Sequence, residues 1–141
     1  MSYTYEYPRP MVTVDALVFA GNLSDKHVLL IRRGNEPFKG MWALPGGFVE
    51  MNETLDNAVA RELTEETGIK LEGFKQLHTF GNPGRDPRGR NITIVFYLSI
   101  PEIIPVIGGD DADEAKWYAL NDLPELAFDH EKVIEMGYEH L

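Results

Sequence analysis

Between Thr54 and Gly68 the chain carries an N-cap residue, a run of helix formers and a C-terminal stop, which predicts a helix over Leu55 to Thr67. On an ideal wheel with Leu55 at zero and ~100° per residue, Val59 and Leu63 fall on one side and Ala58 on the other. They define a stripe that should face a core. Glu62 and Glu66 land inside it, within about 20° of Leu55, and Glu65 borders it. Asp56, Asn57, Ala60, Thr64 and Thr67 take the opposite, wetter face. Like charges four residues apart repel, and burying each as a bare carboxylate costs several kcal/mol. A solvated charge run would not share the apolar face. The segment therefore demands both a core and a counter-charge. A hard divalent cation on oxygen ligands is the simplest one, with Mg²⁺ the best fit and Mn²⁺ the alternative. The absence of cysteine, and of histidine on this helix, disfavours zinc.

At 141 residues the chain has room for a single domain, 1–141. Its 23 acids against 13 Lys and Arg leave a formal charge of −10, which argues against nucleic acid or an anionic membrane as the main partner. A small phosphate-bearing substrate is compatible only if a local arginine cluster or a metal offsets that field. With 43% hydrophobic residues, global disorder is excluded. No cysteine means no disulfide and no thiolate chemistry. The first ten residues lack a signal-peptide core, and no stretch approaches the ~18 apolar residues of a membrane span, so a cytoplasmic protein is expected.

Met11 to Phe19 and His27 to Arg33 read as a strand pair around Gly21-Asn22 and Ser24-Asp25, in a sheet covered on both faces. Gly34 to Gly47 reads as a loop. Leu71 to Phe80 and Asn91 to Ile100 read as strands, and Ala115 to Ala119 as a short one. Asp129 caps a terminal helix that reaches His140. The pattern is α/β, a mixed β-sheet flanked by helices.

Gly47, five residues, Glu53, seven residues, then Arg61-Glu62-Leu63-Thr64-Glu65-Glu66-Thr67-Gly68-Ile69 resembles the complete Nudix hydrolase box, with no position departing from it. At average residue frequencies a chance match is below about one in ten million per start site. The resemblance implies an α/β/α sandwich and a metal-dependent hydrolase of nucleoside diphosphate derivatives. It implies Glu62 and Glu66 as principal metal ligands, Glu65 as a further or water-mediated one, and the Gly46 carbonyl as a backbone ligand. Gly46 and Gly47 suit a close backbone approach to the metal. Glu53 and Arg61 read as an ion pair supporting the site.

Gly81 to Arg90 carries Arg85, Arg88 and Arg90, the expected clamp for a diphosphate in an otherwise acidic chain. Pro83, fifteen residues beyond Gly68, resembles the mark of ADP-ribose pyrophosphatases. The segment through Arg90 is similar to one shared with ADP-ribose-sensing Nudix regulators, as are Tyr7-Pro8-Arg9-Pro10 and Leu126 to His130. The implied reaction is ADP-ribose to AMP and ribose 5-phosphate. In related enzymes the base comes from a late acidic loop, where Asp110, Asp111, Asp113 and Glu114 are the candidates here. Phe38, Trp42, Phe48, Phe80 and Tyr118 could stack on adenine, although core or loop packing is their commoner use. Trp117 reads as packing, and the four histidines receive no chemistry. Alternatives are another nucleoside diphosphate sugar, an oxidised nucleoside triphosphate, or a non-catalytic ADP-ribose sensor, against which the intact box and the end of the chain at Leu141 argue. The apolar centre of His27 to Arg33 and the tyrosines Tyr3, Tyr5 and Tyr7 exceed what a small monomer readily covers. With the resemblance, they imply a homodimer in which Tyr3 to Tyr7 touches the partner.

Overall fold

The computed structural model describes residues 2–22, 24–107 and 112–141, apart from the side chains of Ala112 and Asp113. The elements run β1 (Met11–Ala20), β2 (His27–Arg33), β3 (Trp42–Ala43), β4 (Gly46–Phe48), α1 (Leu55–Thr67), β5 (Lys75–Phe80), β6 (Asn91–Ile100), β7 (Ala112–Ala119) and α2 (His130–Glu139). One mixed sheet has the order β3-β2-β1-β6-β5, with β4 paired to β1 and β7 to β2. The centre is the parallel pair β1/β6, in continuous register from Met11↔Asn91 to Ala20↔Ile100.

Alternation along β1 sends its side chains to two cores. Val14, Ala16 and Val18 pack with Ala58, Val59 and Leu63 of α1, and Leu17 and Phe19 pack with Val133 and Ile134 of α2. Helices thus cover both faces, the α/β/α arrangement expected. The expected excess of apolar surface on β2 does not exist. Val28, Leu29, Leu30 and Ile31 are all buried by the chain's own two layers.

Several boundaries differ from expectation for local reasons. The loop after Gly34 contains β3 and the start of β4, because Trp42 and Ala43 pair with Arg32 and Ile31. Residues 71–74 form no strand. Gly73 takes φ 85° there, and Leu71 and Phe74 pack onto the α1-side core instead. β7 begins three residues earlier than its apolar centre suggests, since its backbone follows β2 as far as Arg33. Helix α1 is capped as expected, with the Asn57 N–H donating to Thr54 Oγ1 at 3.1 Å and Gly68 left-handed at φ 75°. Thr67, expected on the wet face, is buried, where its hydroxyl donates to the Leu63 carbonyl at 2.6 Å. Asp129 precedes α2 without a side-chain capping bond, because Arg85 takes its carboxylate. No helix among the described residues is long and apolar enough to cross a membrane.

Candidate active site

A cleft of about 410 Å³ opens where α1, β4 and the 81–90 loop converge on one end of β1. Its acidic wall comes from α1. Glu66, 7% exposed, accepts the Gly46 N–H on Oε1 at 2.6 Å, so the β4 backbone is fastened to the helix. A Cβ on Gly47 would fall 2.6 Å from the Glu62 carboxylate, and one on Gly46 would collide with the Asp15 carboxylate and the Val14 carbonyl. Gly46 excludes a side chain because backbone atoms stand in the way, whereas a side chain at Gly47 would push the Glu62 carboxylate aside.

Arg61 organises the outer edge. Its Nε and Nη2 donate to Glu53 at 2.9 and 2.6 Å, Nη1 donates to Glu62 at 2.9 Å and Glu65 at 3.2 Å, and Nη2 reaches the Phe48 carbonyl at 3.0 Å. The bonds from Arg61 hold the Glu53 carboxyl below its ordinary pKa despite partial burial. The bonds to Glu53 hold the Arg61 guanidinium above its own ordinary value. Glu65 stands half-exposed on this outer side, away from the cleft lining.

The opposite wall is basic, but most of its charge is matched internally. Arg85 donates to Asp129 through Nε at 3.0 Å and Nη2 at 2.7 Å, and Arg88 donates to Asp86 through Nη2 at 2.8 Å. Burial opposes the charged form of Asp129 and of Asp86, yet the bonds from Arg85 and Arg88 respectively leave both carboxyls below the ordinary range. Arg90 does not line the cleft. It is exposed and donates to the Gly81 carbonyl at 2.8 Å. Pro83 is likewise exposed and off the lining. Asp110 and Asp111 lie outside the described residues, as does the side chain of Asp113. Glu114 is exposed and faces Arg32 at 3.5 Å.

Sequence reasoning missed the floor of the cleft. Asp15, a lone acid in an apolar strand, accepts from Thr93 Oγ1 at 2.6 Å and lies 3.8 Å from His130 Nε2. His130 Nδ1 accepts the Leu44 N–H at 3.0 Å, which places the ring proton of the neutral form on Nε2, toward Asp15. Asn91 Nδ2 donates to Thr13 Oγ1 and Asp86 Oδ2, and its Oδ1 is the one buried side-chain atom without a partner among the described residues. Phe128 also lines the cleft, held at φ 53° with its ring edge-on to Phe38, itself at φ 60°. The acid inside β1 was a readable signal for the floor. Phe38 and the segment holding Phe128 were both singled out from sequence, but not their pairing, because its geometry depends on two left-handed residues far apart in sequence. Of the aromatic candidates, Phe48 lines the cleft, whereas Trp42 and Tyr118 pack edge to face beside the α2-side core.

A family model of the NUDIX domain matches residues 9–136. The chain belongs to the Nudix family. It is 49% identical over 134 residues to the ADP-ribose pyrophosphatase of Methanocaldococcus jannaschii, covering 92% of this chain and 73% of that protein. It is 34% identical over 140 residues to the ADPR responsive transcriptional repressor NtrR of Acinetobacter baylyi, covering 96% of this chain and 56% of the repressor. Among solved structures, the NUDIX domain of Shewanella oneidensis NrtR complexed with ADP ribose superposes with a TM-score of 0.88 at 35% identity, over 95% of this chain and 90% of that one. A bifunctional NMN adenylyltransferase/ADP ribose pyrophosphatase from Francisella tularensis, complexed with AMP and a Mn ion, gives 0.86 at 34% identity, over 96% of this chain and 43% of that one.

The acidic wall of this Nudix domain fits a hard divalent cation. Its donors are oxygens, and Gly47 keeps clear the space in front of Glu62. Among the described residues no three His, Asp or Glu side chains gather into a metal cage.

Burial holds the His130 pKa below its ordinary value of 6.5, against the pull of Asp15 and Asp129. The unfolded chain therefore takes up this proton first as the pH falls. The Nudix domain loses stability from about pH 6.5 downward through the folded-state pKa, and loses more below about pH 4 as Asp86 and Asp129 protonate. Thermal melts between pH 8 and 5 on wild type and His130→Asn check this, the variant being flatter across that range. Parallel slopes would rule out His130 as the source.

Proposed function

We propose that this Nudix domain hydrolyses ADP-ribose to AMP and ribose 5-phosphate with Mg²⁺. The reading is carried by the 49% identity to an ADP-ribose pyrophosphatase across 134 residues, a span long enough to include both walls of the cleft. Water adds to one phosphorus, the bond from that phosphorus to the bridging oxygen breaks, and one proton leaves the water. Glu62, Glu66 and the Gly46 carbonyl would hold the metal, with Glu65 acting through water. The bound cation would neutralise the diphosphate and lower the pKa of the attacking water. Gly46 and Arg61 keep Glu66 and Glu62 oriented through the bonds described above, so little reorganisation is needed on binding. The late acidic residues, Asp111 and Glu114 included, are the proposed source of the base. Arg88, on the lip between Phe48 and Phe128, can meet substrate only by sharing its bond to Asp86.

The test is a substrate panel of ADP-ribose, other nucleoside diphosphate sugars and an oxidised nucleoside triphosphate, with products identified, in Mg²⁺ and in chelator. The expected result is AMP and ribose 5-phosphate from ADP-ribose, in Mg²⁺ only, as the preferred reaction. Preference for another compound overturns the substrate. The likeness to NtrR supports a second reading, an ADP-ribose sensor. Tight binding with no turnover would favour it.

We also propose a cytoplasmic location and a homodimer. Tyr3, Tyr5 and Tyr7 are exposed, with Tyr3 stacked on Tyr5 and the Arg9 guanidinium 3.8 Å from the Tyr5 ring centre. Such a row of exposed aromatics is a natural contact surface. Light scattering at micromolar concentration should give twice the 16.0 kDa of one chain, falling toward one chain when residues before Pro8 are removed. A monomer mass for the intact chain would rule the dimer out.

A further inference from the structure

Among the described residues four arginines line the cleft: Arg33, Arg61, Arg85 and Arg88. Three are committed to carboxylates: Arg61 to Glu53 at 2.6 Å, Arg85 to Asp129 at 2.7 Å, and Arg88 to Asp86 at 2.8 Å. Arg33, the last residue of β2, is different. Its Nε donates to the Pro37 carbonyl at 2.7 Å, and its guanidinium carbon lies 5.1 Å from the centre of the Phe128 ring. It forms no ion pair among the described residues. Glu66, Asp86 and Asp15 attract it only at longer range, while burial and the nearby Arg88 work against its charge.

That accounting separates the four. For Arg61, Arg85 or Arg88 to bind a phosphate, each must share or give up a charge-assisted carboxylate bond, so most of the gain is cancelled. An anion at Arg33 would require no such exchange with a carboxylate among the described residues. The Pro37 bond and the Phe128 ring fix the guanidinium plane, so little side-chain freedom is lost on binding. Its Nη groups, which have no hydrogen-bond or ion-pair partner among the described residues, form a two-donor edge suited to phosphate oxygens.

We propose that Arg33 is the diphosphate receptor of the cleft and sets its specificity for anionic nucleotide derivatives, while Arg85 and Arg88 build the wall behind it. The inference deepens the ADP-ribose reading and rests on it for the substrate, but the receptor itself can be tested apart from it. The probes are the α,β-methylene analogue of ADP-ribose, which is not cleaved at the bridging position, then inorganic pyrophosphate, and adenosine. Each is titrated calorimetrically in Mg²⁺ into wild type, Arg33→Gln and Arg33→Lys. Arg33→Gln should weaken the analogue and pyrophosphate roughly 10- to 100-fold, with adenosine unchanged. Arg33→Lys should recover part of the loss, because it restores the charge without the fork. With ADP-ribose itself, Arg33→Gln should raise KM more than it lowers kcat.

Unchanged affinity for both phosphate compounds in Arg33→Gln overturns the receptor. Equal loss of adenosine binding also overturns it, since Arg33 would then only shape the pocket. Wild type that binds pyrophosphate through Arg33 but ignores the analogue upholds the receptor and overturns ADP-ribose as the substrate. Wild type that binds neither overturns both.

Discussion

Glu66→Gln lowers kcat for ADP-ribose about a hundred- to ten-thousand-fold at saturating Mg²⁺, while the folded structure survives. The size follows from the proposed role of Glu66 as a metal ligand, whose electrostatic contribution would be several kcal/mol, with each ~1.4 kcal/mol a factor of ten in rate. The fold survives because the glutamine carbonyl still accepts the Gly46 N–H that Glu66 Oε1 takes at 2.6 Å. Removing a buried carboxylate one turn from that of Glu62 also relieves repulsion between the two. AMP release and thermal melts on the same preparation make the check. A variant that melts like wild type and keeps near-normal turnover would show that α1 is no metal platform. A variant that has simply unfolded is recognised by its melt, and Glu62→Gln then carries the same test from the other carboxylate.

Arg85→Met costs about 3–5 kcal/mol of stability, roughly 10–20 °C in melting temperature. The Arg85 side chain is 5% exposed and that of Asp129 21% exposed, and removing the cation strands a largely buried carboxylate just ahead of α2. Arg85→Met combined with Asp129→Leu should recover most of the loss, because the cost lies in the orphaned charge rather than in the missing pair. From sequence, Arg85 belongs with Arg88 and Arg90 as a diphosphate clamp. If Arg85→Met melted like wild type and only raised KM, that clamp would be right and the wall described above wrong. Denaturant or thermal unfolding of the two variants decides between them.

The contrast between these residues explains what could be read before the fold was known. Local patterns carried much. The boundaries of α1 follow from Thr54 and Gly68, whose capping chemistry acts within a few residues. The bond between Arg61 and Glu53 was legible too, because the short connection leaves the two few places to go. Where a residue's partner lies far along the chain, the local pattern misled. Asp129 has the composition of an N-cap, yet its carboxylate serves Arg85, forty-four residues earlier. Leu71 and Phe74 look like strand residues but fill the α1-side core. The apolar run of β2 looks like an interface and is buried by two layers of its own chain.

By itself the sequence determined the family, the bounds of α1 and the layer order. Each of these rests on periodicity or on groups within a few turns of one another, where spacing along the chain is spacing in space. Which cation in the cleft is left to meet a substrate was decided only by the tertiary structure. Charge balance there depends on which strand ends and loops converge. Arg33, Arg85 and Arg88 have the same chemistry in sequence. Asp129 and Asp86, brought beside two of them, leave the third with no ion pair among the described residues.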